Sequence, residues 1–324
     1  MTNVHQKTVL IRDIHANWYA EELEKACPDY RYIAAIDHDA ALAYAPEAEI
    51  IVGLAPLLTE PLIQAAAKLQ WVHALTSGVD NILAMQAVGP GVTLTNCGGL
   101  HGPQMSELVF LMMLNLNRNY PRMLANQQAR KWERWSQPLL LNKTVTIAGI
   151  GRVAEELAQR CTAFGMTVLG VSDGRSEVPC FTRIYKRKDL HAAVAGCDFL
   201  VGLMPYDASS HHIINASVFA AMPSSAALIS ISRGDCVDED ALREALRTGQ
   251  IAGAGLDVFA KEPLHPDDPI WSAPNVLITP HIGGMSDIFR QQALPRLADN
   301  LTAFAASGAA QLHGLVKRNG TGRT

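Results

Sequence analysis

No stretch of this 324-residue sequence stays apolar for the ~18 residues that a membrane span requires. The start, MTNVHQKTVLIRD, lacks a basic region followed by a long apolar stretch and a small-residue cleavage site, so no signal peptide is expected. Excess positive charge is missing too. Lys and Arg number 27 against 31 Asp and Glu, a formal net charge of −4 that offers no basic field to nucleic acid or an anionic membrane. The six cysteines, Cys27, Cys97, Cys161, Cys180, Cys197 and Cys236, form no C-x-x-C pair, so neither a zinc site nor a disulfide framework is indicated. The expectation is a reduced, cytoplasmic protein. Charged residues make up only 18% and hydrophobic ones 48%, which argues against disorder and for packed cores. No internal repeat of fixed short period and no low-complexity segment is evident. The tail VKRNGTGRT is polar and expected to fray.

What is present is alternation. Short apolar runs (TVLIRD, YRYIAAI, AEIIVGL, LQWVHAL, GVTLTN) are separated by helical stretches such as WYAEELEKAC and TEPLIQAAAKL. A second series follows: TVTIAGI, MTVLGVS, DFLVGLM, AALISIS, IAGAGLDV and NVLITP, spaced by VAEELAQRCTAF, INASVFAAM and DEDALREALRTG. Strands apolar on both faces that alternate with helices predict parallel sheets covered on both sides. Two such series predict an α/β protein of two doubly wound parallel-sheet domains. The boundary falls near Cys97–Gly99, where a strand passes through glycines into the long apolar helix HGPQMSELVFLMMLNLNR. The 105–117 part of that helix is too hydrophobic for a solvated face and belongs to a core or a subunit interface. The helical stretch SDIFRQQALPRLADNLTAFAASG then returns the chain to the first domain.

Within TVTIAGIGRVAEELAQR, Gly149, Gly151 and Ala154 spell G-x-G-x-x-A directly after a strand and at the start of a helix. Gly149 permits the tight turn, Gly151 lets the backbone approach a pyrophosphate, and Ala154 lets helix and strand pack closely. The helix start offers unpaired N–H groups and a positive dipole end to the phosphates. At the end of the next strand, where an adenine ribose would lie, the sequence reads Ser172-Asp173-Gly174-Arg175. An acidic residue there accepts from ribose hydroxyls and selects NAD, whereas an arginine receives the 2′-phosphate of NADP. The mixture leaves both cofactors open.

Three later strands end in residues that carry chemistry: Arg233 after AALISIS, Glu262 shortly after IAGAGLDV, and His281 after NVLITP. In an open parallel sheet ligands collect outside the carboxyl ends of the strands, so all three are expected at one edge. Arginine can grip a carboxylate with two parallel hydrogen bonds, and a histidine beside a carboxylate is a proton donor at neutral pH. Read singly, Arg233 and Glu262 would serve equally as a structural ion pair, and His281 as a loop histidine. Their coincidence in a dinucleotide-binding domain fits reduction of a 2-oxo acid, which needs a carboxylate anchor, a hydride and a proton. His101, His211, His212 and His265 have no such context and are expected to be structural or exposed.

Together GIGRVAEELAQR, SRGDCVDEDALREAL, IAGAGLDVFAKEPL and NVLITPHIGG, with LQWVHALTSGVDNI in the first domain, resemble the D-isomer-specific 2-hydroxyacid dehydrogenase family, glyoxylate/hydroxypyruvate reductases in particular. The likeness runs from about residue 48 to residue 300 as an ordered set of motifs. It implies a Rossmann dinucleotide-binding domain (99–289) inserted into a flavodoxin-like substrate domain (1–98 and 290–324), and a homodimer. It implies Arg233 as substrate binder, Glu262 as the group that orients and charges His281, and His281 as general acid/base. The backbone of Ser77, Gly78 and Val79 would hold the substrate carboxylate. Besides the glycine turn, Arg152, Val153, Ser172, Asp173, Arg175, Met204, Pro205, Ile231, Ser232, Asp257, Gly283 and Gly284 would touch the cofactor, Asp257 at the carboxamide.

Two departures from the family pattern stand out. Ser172 occupies a position where NAD-using relatives usually carry Asp, which makes NADP slightly favoured, with Arg175 near its phosphate. Tyr206-Asp207 stands where many relatives have an apolar residue and Thr. No appended effector domain is expected after residue 324. The small apolar Leu54 and Ala55 would face the substrate's side chain and would admit longer 2-oxo acids as well as glyoxylate or hydroxypyruvate. The rival function is a dinucleotide-sensing protein like the family's transcriptional corepressor branch. The sequence shows no long disordered tail or partner-recruiting extension, which favours the enzyme; the Arg, Glu and His are present as well, although corepressor relatives can retain them.

Overall fold

The computed structural model describes residues 6–316, so residues 317–324 of the polar tail and residues 1–5 of the chain start lie outside it. The chain forms two compact units, Met1–Leu100 with Ser286–Thr324, and His101–Met285.

The first unit is built on five parallel strands, β1 (Thr8–Arg12), β2 (Arg31–Ala35), β3 (Ile50–Gly53), β4 (Trp71–Ala74) and β5 (Thr93–Asn96), in the order β2-β1-β3-β4-β5. This is the flavodoxin-type order. β1, β3 and β4 are buried along their whole length, as the unbroken apolar runs predict for strands covered on both faces. One face packs Leu10, Ile51, Leu62 and Val72 together. On the other, Val9, Tyr19, Leu23, Trp71, Leu297 and Phe304 form a second layer. The returning helix Phe289–Ser307 thus shares a core with the helix Ala16–Ala26. Pro295 lies inside this helix at an exposed position, while Ala293, Leu297 and Leu301 are buried.

The second unit has seven parallel strands: β6 (Thr144–Ala148), β7 (Thr167–Val171), β8 (Arg183–Tyr185), β9 (Phe199–Gly202), β10 (Ala227–Ser230), β11 (Gly253–Leu256) and β12 (Val276–Ile278). Their order, β12-β11-β10-β9-β6-β7-β8, is that of a Rossmann sheet with one strand added at the β12 edge. The order reverses between β6 and β9, the switch point outside which such sheets bind ligands. Leu108, Met112, Ile147 and Ile229 fill one face, and Val171, Leu200, Leu228 and Phe219 the other. The long helix Gly102–Arg118 lies on the first of these faces with Leu108, Val109, Met112 and Met113 buried, while Leu111 and Leu114 remain exposed.

Sequence patterning expects six strands here and misses β8. That strand, Arg-Ile-Tyr, is only three residues long and carries no buried side chain, so it has no apolar run to betray it. It exists because the open edge of β7 offers it a parallel ladder, Leu169 to Arg183 and Val171 to Tyr185.

Candidate active site

The glycine turn lies between β6 and the helix Arg152–Ala163. Gly149 has φ +98°, and a Cβ there would stand 2.6 Å from the Met204 backbone nitrogen. Only glycine fits this turn, which presses against the end of β9 across the switch point. Ala154 is fully buried against the sheet, as close helix–strand packing requires. Nothing stands within 4 Å of a Cβ built on Gly151, so the space before the helix N-terminus is open to a pyrophosphate. The Ser232 hydroxyl, after β10, is buried and finds no partner among the described residues, which suits a group that serves a ligand. These features fit a dinucleotide. Met204 and Ile231 are buried at the ends of β9 and β10, while Arg152 and Pro205 are exposed.

At the β7 end, the Ser172 hydroxyl accepts the Arg175 backbone N–H at 3.2 Å. The Arg175 guanidinium pairs with Glu155 in the first turns of the helix Arg152–Ala163. Asp173 Oδ1 accepts the Arg187 backbone N–H at 3.0 Å, and its other oxygen lies 3.5 Å from Arg187 Nε. The Asp173 carboxylate is therefore turned toward Arg187. The sequence marks Ser172, Asp173 and Arg175 but neither partner, because Glu155 and Arg187 sit on other elements and no motif marks them.

The adjacent strands β10, β11 and β12 deliver the other three residues. Gly234, directly after Arg233, has its Cα so close to the Phe259–Ala260 backbone that a Cβ would lie 1.9 Å from the Phe259 carbonyl carbon. That contact locks the Arg233 turn against the turn holding Glu262. Glu262 Oε2 lies 2.6 Å from His281 Nδ1, and its Oε1 accepts the Phe259 N–H at 2.9 Å. The Arg233 guanidinium donates to the Ser232 carbonyl at 2.6 Å. Its charge acts on both Glu262 and His281.

The electrostatics suit a proton donor. The hydrogen bond to Glu262 raises the His281 pKa above its ordinary value; burial opposes this, and the charges of Glu262 and Asp257 add to it. For Glu262, burial pushes upward, but the hydrogen bonds from His281 and Phe259 outweigh it and hold the carboxyl below its ordinary value. The favoured state of the pair is imidazolium with carboxylate. With Nδ1 committed to Glu262, Nε2 is the nitrogen left for a substrate oxygen.

Asp257 is only 1% exposed and sits beneath the His281 turn. Its Oδ1 accepts from the Thr279 hydroxyl at 2.5 Å and the Ile282 N–H at 2.9 Å, and Oδ2 accepts the Gly283 N–H at 2.8 Å. The observed role of this carboxylate is to clamp the 279–283 turn, where His281 itself has φ +53°. The carboxamide contact that the family resemblance implies for Asp257 carries no sign of this clamp, whose donors lie 22 to 26 positions further on. Gly284 packs against His101, which is buried.

In the first unit, Ser77, Gly78 and Val79 form the turn after β4. Thr76 Oγ1 donates to the Gly78 carbonyl and Asn96 Nδ2 to the Ser77 carbonyl, both at 2.7 Å. Asn81 Nδ2 reaches the Ala55 carbonyl at 2.7 Å, which ties this turn to the one after β3.

A Rossmann sheet whose edge carries an Arg, a Glu-paired His and an open phosphate turn defines a nicotinamide-dependent dehydrogenase. Two family descriptions match: "D-isomer specific 2-hydroxyacid dehydrogenase, NAD binding domain" over residues 110–283, and the corresponding "catalytic domain" over residues 9–171. The chain belongs to this family of NAD(P)-dependent oxidoreductases. Glyoxylate/hydroxypyruvate reductase B of Pectobacterium atrosepticum is 34% identical over 292 residues, 88% of each chain. A D-isomer specific 2-hydroxyacid dehydrogenase family protein from Aeromonas salmonicida superposes with a TM-score of 0.90 at 32% identity, over 97% of this chain and 99% of that one. The NADPH-dependent glyoxylate/hydroxypyruvate reductase of Sinorhizobium meliloti, solved with NADP and sulfate, gives 0.82 at 26% identity, over 96% and 98%. Among the described residues no helix is long and apolar enough to cross a membrane, and no group of three or more His, Cys, Asp or Glu could hold a metal ion.

Proposed function

We propose that this chain reduces a small 2-oxo acid of the glyoxylate or hydroxypyruvate type to the D-2-hydroxy acid. The observation that carries this reading is the 2.6 Å pairing of His281 with Glu262 at the carboxyl edge of the Rossmann sheet. The reductases it resembles support the substrate class. A bound reduced nicotinamide supplies the hydride. The carbonyl oxygen then needs a proton, which His281 gives from Nε2, with Glu262 holding the imidazolium until that moment. Arg233 binds the substrate and fixes the face presented to reduction.

NADPH is proposed to serve at least as well as NADH, since Ser172 brings no charge to repel a 2′-phosphate and Asp173 is engaged by Arg187. The chain is proposed to act as a homodimer in the cytoplasm. Large apolar side chains exposed along one stretch, Leu111, Leu124, Trp132 at 88%, Leu139 and Leu141, support a subunit contact. The free cysteines, all but Cys180 buried, suit a reducing compartment.

An initial-rate screen of glyoxylate, hydroxypyruvate and longer 2-oxo acids with NADH and NADPH, followed by chiral analysis of the product, tests the proposal. The expected result is D-hydroxy acid from the smallest substrates. Absence of turnover with every 2-oxo acid, or an L product, would remove it.

A further inference from the structure

At the adenosine end of the cofactor turn, two arginines each meet a carboxylate. Arg187 pairs with Asp173 and also donates to Ser209 Oγ at 2.5 Å, bridging the segments that follow β7 and β9. Arg175 pairs with Glu155. The second pair matters more. Arg175 is placed by its own N–H on Ser172 at the ribose position, and Glu155 rises from the helix that receives the pyrophosphate. A Cβ built on Gly174 meets nothing within 4 Å, so there is room for a phosphate beside Arg175.

We propose that Glu155 is a specificity-determining residue that sets the NADP-to-NAD ratio by competing with a 2′-phosphate for Arg175. This rests on the nicotinamide-cofactor reading and goes beyond it. A ribose bearing only hydroxyls leaves the Arg175–Glu155 pair intact. A 2′-phosphate must draw the guanidinium away, leaving a carboxylate close to a doubly charged group. The pair is about two-fifths exposed on each side, so it is a weak, screened contact that tunes affinity without forbidding the phosphate. The Arg187–Asp173 pair completes the arrangement, because the Asp173 carboxylate that follows β7 is engaged by Arg187.

Isothermal titration at low ionic strength, with 2′,5′-ADP and 5′-AMP as probes, tests this without turnover. Glu155→Gln should bind 2′,5′-ADP about two- to fivefold more tightly than wild type, the range an exposed ion pair is worth, with 5′-AMP unchanged. The NADPH-to-NADH ratio of kcat/KM should rise by the same factor. In an Arg175→Ala background the gain should shrink, since the competition needs the guanidinium. Equal 2′,5′-ADP affinity in wild type and Glu155→Gln overturns the proposal. So does an equal gain in both backgrounds, because Glu155 would then act on the phosphate directly. Failure of 2′,5′-ADP to bind either protein overturns it as well. A failed 2-oxo acid screen would instead strike the catalytic reading and leave these affinities as they stand.

Discussion

His281 Nδ1 and Glu262 Oε2 lie 2.6 Å apart, and each group moves the other's protonation toward the charged form. The pair joins two neighbouring strand ends, those of β11 and β12. Its consequence is a histidine that stays protonated to higher pH than a free imidazole.

Replacing Glu262 with Gln keeps the shape but removes the charge. The His281 pKa, raised in the wild type, should fall. Reductive kcat/KM needs the imidazolium, so the Glu262→Gln profile should drop off at lower pH, losing most at pH 7–8 and least near pH 5–6 (about the range around an ordinary histidine). Superimposable pH profiles for wild type and variant would mean that Glu262 does not tune His281.

Removal of the imidazole is a different loss. His281→Ala should lower reductive kcat at every pH by roughly 10²–10⁴-fold, the usual worth of a general acid. Cofactor affinity, read by nucleotide fluorescence titration, should change little. Arg233→Ala should raise KM as well as lower kcat, because it removes both a binding contact and an orienting one.

Asp257→Ala would strip three donors, Thr279 Oγ1 and the N–H groups of Ile282 and Gly283, of one buried acceptor. Of these the Gly283 N–H is buried, and a buried unmade bond costs about 1–3 kcal/mol, so the melting temperature should fall by a few degrees. The His281 turn should also loosen, and kcat should suffer more than substrate KM. A variant with wild-type kcat would show that the clamp does not position the histidine.

Acid stability should depend on His73. It is fully buried on β4, between Thr95 at 2.7 Å and Cys97 at 3.5 Å, and burial, aided by the Arg296 charge, lowers its pKa to about 3. The unfolded chain takes up this proton near pH 6.5 and the folded one does not. Stability is therefore retained above pH 6.5 and lost as pH falls from there toward the folded value, at a limit of roughly 1.4 kcal/mol per pH unit for one proton. Urea midpoints measured at pH 6.5, 5.5 and 4.5 should decline more steeply for wild type than for His73→Gln. Parallel declines would assign the acid sensitivity to other groups.

Much of this protein is written locally. The apolar runs of β1, β3, β4 and β9 to β11 are buried end to end, so their patterning alone identifies them as strands of covered parallel sheets. The glycine turn is equally legible, because the φ of +98° at Gly149 is a property of one residue and its neighbours. Arg233, Glu262 and His281 were visible as strand-end residues, since parallel strands must all end at one edge. What the tertiary structure decided is which groups meet. Nothing in the order of residues says that Asp257 turns under a loop 25 positions later, that Glu155 rather than a solvent ion holds Arg175, or that His73 loses all contact with water. Strand and turn preferences come from backbone sterics and nearby side chains, whereas a hydrogen-bond partner or a desolvated imidazole depends on distant segments brought together by packing. That is why the sequence and its resemblance yield the chemistry's members and the Glu262–His281 pair, whereas partners such as Glu155 for Arg175 and Arg187 for Asp173 are set by the fold.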